Sequence, residues 1–127
     1  MVIVLSFLIA GCGNYKPSST DVVETHGKIT NYSKFKEFLE DVTNGKNGEV
    51  RVVSYTNEGD PILHDLKYNG KNIKSTLDTT RDEFGEQKVD VTTCEAIKKN
   101  KEDNKIEYQL SGCKNTKRMN IILTVRQ

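Results

Sequence analysis

Hydrophobic and polar residues change rhythm several times along this chain, and each change predicts an element. An apolar run over residues 2–10, broken only by Ser6, opens the sequence. It is shorter than the roughly 20 residues a bilayer span requires, and it has the length of the apolar stretch of an export signal. Residues 13–20 are polar, with Pro17 and no apolar period, in the manner of a linker. Residues 21–30 hold Val22, Val23 and Ile29 around His26-Gly27 and predict an extended lead-in. From Tyr32 the spacing becomes helical: Tyr32, Phe35, Phe38, Leu39 and Val42 share one face, and Lys34, Lys36, Glu37, Glu40 and Asp41 take the other. Asn31 stands as the N-cap and Asn44-Gly45 as the stop. The aromatic stripe is the face that should pack on a core.

Beyond the helix the period is two. Residues 50–55 predict a strand, residues 57–61 a turn, and residues 62–68 a second strand ending at Asn69-Gly70. That dipeptide is a strong signal for a two-residue hairpin, whose central residues need positive φ. Such a loop sets Tyr68 opposite Lys71, Leu66 opposite Ile73, Asp65 opposite Lys74, His64 opposite Ser75 and Ile62 opposite Leu77. Residues 88–92 predict a short extended piece and residues 94–100 a helical turn. Ile106, Tyr108 and Leu110 alternate, residues 112–118 loop, and Met119, Ile121, Leu123 and Val125 alternate again, predicting two paired strands. One helix ahead of several strands predicts an α+β domain, with one amphipathic helix packed on an antiparallel sheet of four to six strands. No internal repeat or second domain is visible.

Composition narrows the function classes. The chain has 127 residues, 35% hydrophobic, with no Trp, so a single modest core is the limit and a covalent staple would help it. Lys plus Arg is 19 against 18 for Asp plus Glu, a net charge of +1 that gives no general attraction to polyanions. Nucleic acid is not expected as a partner, since the five Tyr and four Phe are not interleaved with a basic stripe.

The apolar start ends in Ile9-Ala10-Gly11-Cys12, which resembles the lipobox of bacterial lipoprotein signal peptides. The resemblance implies a diacylglycerol on the Cys12 sulfur and cleavage just before it. The chain then divides into a signal peptide at 1–11, the lipidated cysteine and polar tether at 12–20, and one domain at 21–127, on the extracytoplasmic face of the cell membrane. Two acyl chains give stable anchoring where one does not. No Lys or Arg precedes the apolar run, so the natural start is expected upstream of Met1. If Cys12 takes lipid, Cys94 and Cys113 remain. They can bridge in an oxidising envelope, which is worth about 3 kcal/mol for a loop of that size. The alternative is a two-cysteine metal site, although neither stands in a CxxC and no His is close in sequence. No metal or other cofactor is expected.

Three groups are candidates for chemistry. His64 and Ser75 share the apolar face of the hairpin, as a general base beside a nucleophile or as a core histidine bonded to a hydroxyl. His26, in a Gly-adjacent turn, gives less. Asp78, Asp82, Glu83, Glu86 and Asp90 could hold a hard cation, but the spacing is not that of an EF-hand and a solvated connection is the simpler reading. Lys98, Lys99, Lys101, Lys114, Lys117 and Arg118 flank the two cysteines, and a disulfide would gather them into a basic patch for anionic head groups or wall polymers. Glu95, Glu102 and Asp103 are interspersed there, favouring a solvated face. There is no P-loop, dinucleotide-binding glycine motif, HExxH or nucleophile elbow. An enzyme is not the expectation.

The stretch VRVVSYTNEGDPILHDLKYNGKNIKSTLDTTRDEFG, with TTCEAIKKN and YQLSGCKN, resembles a domain-of-unknown-function family of small lipoproteins of bacilli and related Gram-positive bacteria. The resemblance implies an envelope location and the pairing of Cys94 with Cys113, and it carries no activity. The expectation is a binding or regulatory module for an envelope protein or anionic wall polymer. A small hydrolase or metal-dependent enzyme using His64 or the acidic segment 78–90, and an immunity-type lipoprotein that sequesters a toxin, are the alternatives.

Overall fold

In the computed structural model, residues 15–115 and 120–127 are described. The segment 1–11 expected as a signal peptide, Cys12, Lys117, Arg118 and Met119 lie outside the described residues. Strands β1 (Val22–Thr25) and β2 (Lys28–Thr30) form a hairpin over His26 and Gly27, both at positive φ (48° and 92°). Helix α1 (Tyr32–Thr43) then carries the chain back, so β3 (Gly48–Tyr55) runs parallel to β1, with Val22 beside Val52. A parallel neighbour requires such a crossover. Antiparallel β4 (Pro61–Tyr68), β5 (Ile73–Asp78) and β6 (Val89–Cys94) complete a six-stranded sheet in the order β2-β1-β3-β4-β5-β6. Three further strands, β7 (Ala96–Glu102), β8 (Lys105–Ser111) and β9 (Ile121–Arg126), form a second sheet.

One helix with mostly sheet agrees with the α+β reading, but the sheet is larger than the expected four to six strands, is divided in two, and is not antiparallel throughout, because the helical crossover sets β1 parallel to β3. The division falls at Glu95: Cys94 ends β6 in the first sheet and Ala96 begins β7 in the second. The Cys94–Cys113 disulfide closes this corner, helped by the Glu95 amide donating to the Ser111 carbonyl and the Lys114 amide donating to the Thr93 carbonyl. Gly112 (φ 64°) fits there because a Cβ would lie 2.9 Å from that of Glu95.

Three expectations are corrected. Residues 94–100 are not a helical turn, because β7 pairs along its whole length with β8 (Lys98 opposite Gln109, Lys101 opposite Ile106). As an edge strand with little buried surface β7 has no apolar alternation to read, and its lysines blunt the open edge. The β4–β5 hairpin turns over residues 69–72 rather than two residues, so Tyr68 faces Ile73, Leu66 faces Ser75 and His64 faces Leu77. Asn69 is the cause: its side-chain oxygen accepts from the amides of Lys71 (2.9 Å) and Asn72 (2.8 Å), building the turn from its own side chain. The slip is by two, so every residue keeps its face. Asp65 consequently faces Thr76 and Arg51 rather than Lys74, and Lys74 faces Lys67. Finally, Asn31 holds the expected N-cap position, but in a left-handed conformation (φ 61°) and without a side-chain bond to the helix; its side-chain amide donates instead to the carbonyls of Ser19 and Asp21 and ties the incoming chain to the helix start.

The registers give the large sheet two faces. Inward point the rows Gly48-Tyr68-Ile73-Cys94, Val50-Leu66-Ser75-Thr92 and Val52-His64-Leu77-Asp90. Most of these side chains form one core with Phe35 and Phe38 of α1 and with Ile106, Tyr108, Leu110, Ile122 and Leu123 of the small sheet. Phe35 meets the Tyr108 ring edge-on at 4.9 Å, and the Tyr32 and Tyr108 hydroxyls are 2.8 Å apart. Burial, foremost, and that shared hydrogen bond push the Tyr32 phenol up from its ordinary pKa. The helix face read from periodicity is therefore the face that packs.

Candidate functional site

His64 and Ser75 sit on the inward face, one row apart on neighbouring strands, with Nε2 and Oγ separated by 2.7 Å. A base within hydrogen-bonding reach of a hydroxyl is the minimum a nucleophilic site needs. Access is the difficulty. His64 is 6% exposed and Ser75 is 0% exposed, enclosed by Leu66, Ile73 and their neighbours. Thr92, directly opposite Ser75, extends the polar strip: its hydroxyl accepts from the Asn115 amide (2.9 Å), and the Asn115 side chain donates to the Asp90 carboxylate (3.1 Å). This arrangement satisfies buried polar groups and fixes the loop after Cys113 against β6.

The outward face of the same sheet is built differently. Its rows are Val53-Leu63-Asp78-Val89, Arg51-Asp65-Thr76-Val91 and Glu49-Lys67-Lys74-Thr93. Arg51 grips Asp65 with both arms of its guanidinium (Nε to Oδ1 2.6 Å, Nη2 to Oδ2 2.9 Å) and donates from Nη1 to the Tyr15 hydroxyl at 3.0 Å. The Tyr15 ring also lies against Arg51 and Arg81, whose guanidinium carbons are 5.3 and 5.6 Å from its centroid. Its hydroxyl donates to Asp21, which also accepts from the Ser18 amide. The hydrogen bonds that Arg51 donates to Asp65, foremost, and to the Tyr15 hydroxyl raise its pKa further, while burial, foremost, and the bond to Asp21 raise that of Tyr15. Arg81 in turn pairs with Asp78 at 3.2 Å.

Beside this cluster, bounded by α1, is an open groove of about 680 Å³, and next to it a second of about 690 Å³. The second is lined by Lys67, Lys74 and Lys114 against the single carboxylate of Glu49, with Val91 and Thr93. Lys67 and Lys74 are direct cross-strand partners, and neither forms an ion pair among the described residues. Like charges opposed in this way work against pairing of the strands.

Of the residues singled out from sequence, Cys94 and Cys113 are joined, and His64 and Ser75 are in contact. The acidic segment does not converge: Asp78 accepts from Thr80 and Arg81, Asp90 from Asn115, and among the described residues no three His, Cys, Asp or Glu side chains gather as a metal-ligand set. Lys98, Lys99 and Lys101 lie along β7, while Lys114 lines the groove on the large sheet. Sequence reading missed Tyr15, Arg51, Arg81, Lys67 and Lys74. Aligning β3 with β4 around the 56–60 turn would have found the Arg51–Asp65 pair; the stacking of Tyr15 has no local signal.

Among the described residues no helix is long and apolar enough to cross a membrane. Residues 19–109 match a family model described as Domain of unknown function (DUF4362), and the chain belongs to that family. No curated protein and no solved structure matches the chain.

Proposed function

We propose that this member of a family without assigned activity is an exported lipoprotein. It is anchored through acylated Cys12 at the extracytoplasmic membrane face and acts as a binding or regulatory module for an envelope protein or anionic polymer. The observation that carries this reading is the Cys94–Cys113 bridge at the corner between the two sheets. A structural disulfide suits an oxidising compartment. It leaves Cys12, directly after an apolar run and two small residues, as the cysteine with a different role. Binding rather than turnover is favoured because the His64 imidazole and Ser75 hydroxyl, in contact with each other, lie in the core, whereas the open grooves hold lysines.

A single fractionation tests this. The chain is expressed in a bacterial host and membranes are separated from soluble protein. Cys12→Ala should move the protein to the soluble fraction, with Cys94 and Cys113 resistant to alkylation until reduced. Retention of Cys12→Ala in membranes, or two alkylatable thiols in the unreduced domain, would refute it. The hydrolytic alternative rests on the 2.7 Å His64–Ser75 contact. It requires that His64→Ala abolish a cellular phenotype while leaving the melting temperature unchanged.

A further inference from the structure

We infer that the outward face of the large sheet docks on an anionic lipid surface, with Lys67, Lys74 and Lys114 against head-group phosphates and Val89 and Val91 toward the bilayer interface. The inference rests on the lipid-anchored reading, and three independent features lead to it.

Where the chain enters the fold comes first. The polar segment expected as a free tether is bonded to the domain from Tyr15 onward, on the outward face, through Arg51, Arg81 and Asp21. Only three peptide steps separate Tyr15 from Cys12. Fully extended they reach about 11 Å. A diacylated Cys12 therefore holds this face, and not the small sheet, at the membrane surface.

The second feature is apolar exposure. Val89 and Val91 are 55% and 52% exposed on the outward rows, and Phe84, 72% exposed, lies in the β5–β6 connection that also carries Arg81. These three are the large hydrophobic side chains most exposed among the described residues. On the inward rows the β6 positions are Asp90, which is half-buried, and Thr92 and Cys94, both buried.

Charge is the third. The 690 Å³ groove beside Val91 sets three lysines against one carboxylate, and two of those lysines oppose each other without an ion partner among the described residues. An anion between them removes the repulsion that the fold leaves in place. Head-group phosphates at a bilayer surface are such anions, and each lysine brought to an anionic surface contributes about 1 kcal/mol.

The test uses the full chain, expressed in a bacterial host and reconstituted in vesicles whose acyl chains carry bromine as a fluorescence quencher. Mass spectrometry of the N-terminal peptide reads the lipid on Cys12 separately. Because the chain has no Trp, Val91→Trp reports on the outward face and Lys99→Trp on β7. In vesicles containing phosphatidylglycerol, Val91→Trp should be quenched several-fold more than Lys99→Trp. Adding Lys67→Gln and Lys74→Gln should remove the difference while acylation persists. Equal quenching of the two reporters on acylated protein overturns the docking while leaving the anchor intact. If Cys12 carries no lipid, the anchor reading fails, and docking is judged by co-sedimentation of the same chain with phosphatidylglycerol vesicles. Binding that weakens about 30-fold in the double lysine variant sustains it, and no binding overturns it. A Val91→Trp signal that responds to soluble polyphosphate but not to vesicles also overturns it, assigning the groove to a soluble polyanion.

Discussion

The two faces of the six-stranded sheet are made from the same strands, residue by residue in alternation, yet they handle polar groups in opposite ways. Inside, His64, Ser75 and Thr92 are buried and hydrogen-bonded, His64 to Ser75 and Thr92 to Asn115, beside the apolar core. Outside, Arg51, Arg81, Asp65 and Asp78 pair in partial contact with water, and Lys67 and Lys74 form no ion pair among the described residues. The difference separates chemistry that a sequence advertises from surface that a protein offers. A histidine beside a serine attracts attention in a sequence, but here both complete a core. Lysines scattered on two strands and a loop attract none, yet the register brings two of them face to face.

If the inward face is a packed core, the largest effects on stability should come from its aromatic wedge. Phe38 is 1% exposed and sits with Phe35 among residues of both sheets. Phe38→Ala should destabilise the domain by about 3–5 kcal/mol, measured by urea denaturation, because truncation loses transfer energy and leaves a cavity. A loss below about 1 kcal/mol would mean that the helix is not part of the core, and the contrast between the faces would collapse.

Legibility followed the same division. The helix, its buried face and most strand positions were readable because one-sided burial imposes a period on the residues. The edge strand β7 was misread because a strand exposed on both sides has no such period. The hairpin register was misread because Asn69 supplies its side chain to the turn, a choice that the Asn-Gly dipeptide does not announce. The two-residue slip left the faces intact, so His64 and Ser75 were correctly put together even though they are diagonal rather than opposite. The Tyr15 clasp was invisible, since it joins three segments that only the folded sheet brings near one another.

A smaller effect sharpens the role of the inner polar pair. Ser75→Ala removes the hydroxyl 2.7 Å from His64 Nε2 without changing the shape of the strand. Loss of a partner for a buried polar atom should cost about 1–3 kcal/mol. Ser75→Ala combined with His64→Leu, which removes both polar groups, should recover part of that loss. A loss in the double variant equal to the sum of the separate Ser75→Ala and His64→Leu losses would show that the two side chains act separately, and the inward face would need another account of its buried histidine.

The smallest effect belongs to the outward face, and pH exposes it. Partial burial pushes the Asp78 carboxyl up, but hydrogen bonds from the Thr80 hydroxyl and amide, with the neighbouring Arg81 guanidinium, outweigh it and hold the pKa below its ordinary value. A carboxylate depressed in the folded state favours folding fully above the unfolded pKa, near pH 4, and the contribution fades as the pH falls through the lower folded value. Asp78→Asn should therefore lower stability by at most about 1 kcal/mol at neutral pH, as expected for a pair in contact with water. The melting curves of the variant and the parent should converge in acid. Ser75→Ala, by contrast, removes a group that does not titrate, and its loss should persist across the range in which the Asp78 contribution disappears. A gap between Asp78→Asn and parent that stays constant down to the acid limit would assign Asp78 to packing, and the outward face would then differ from the inward one in exposure alone.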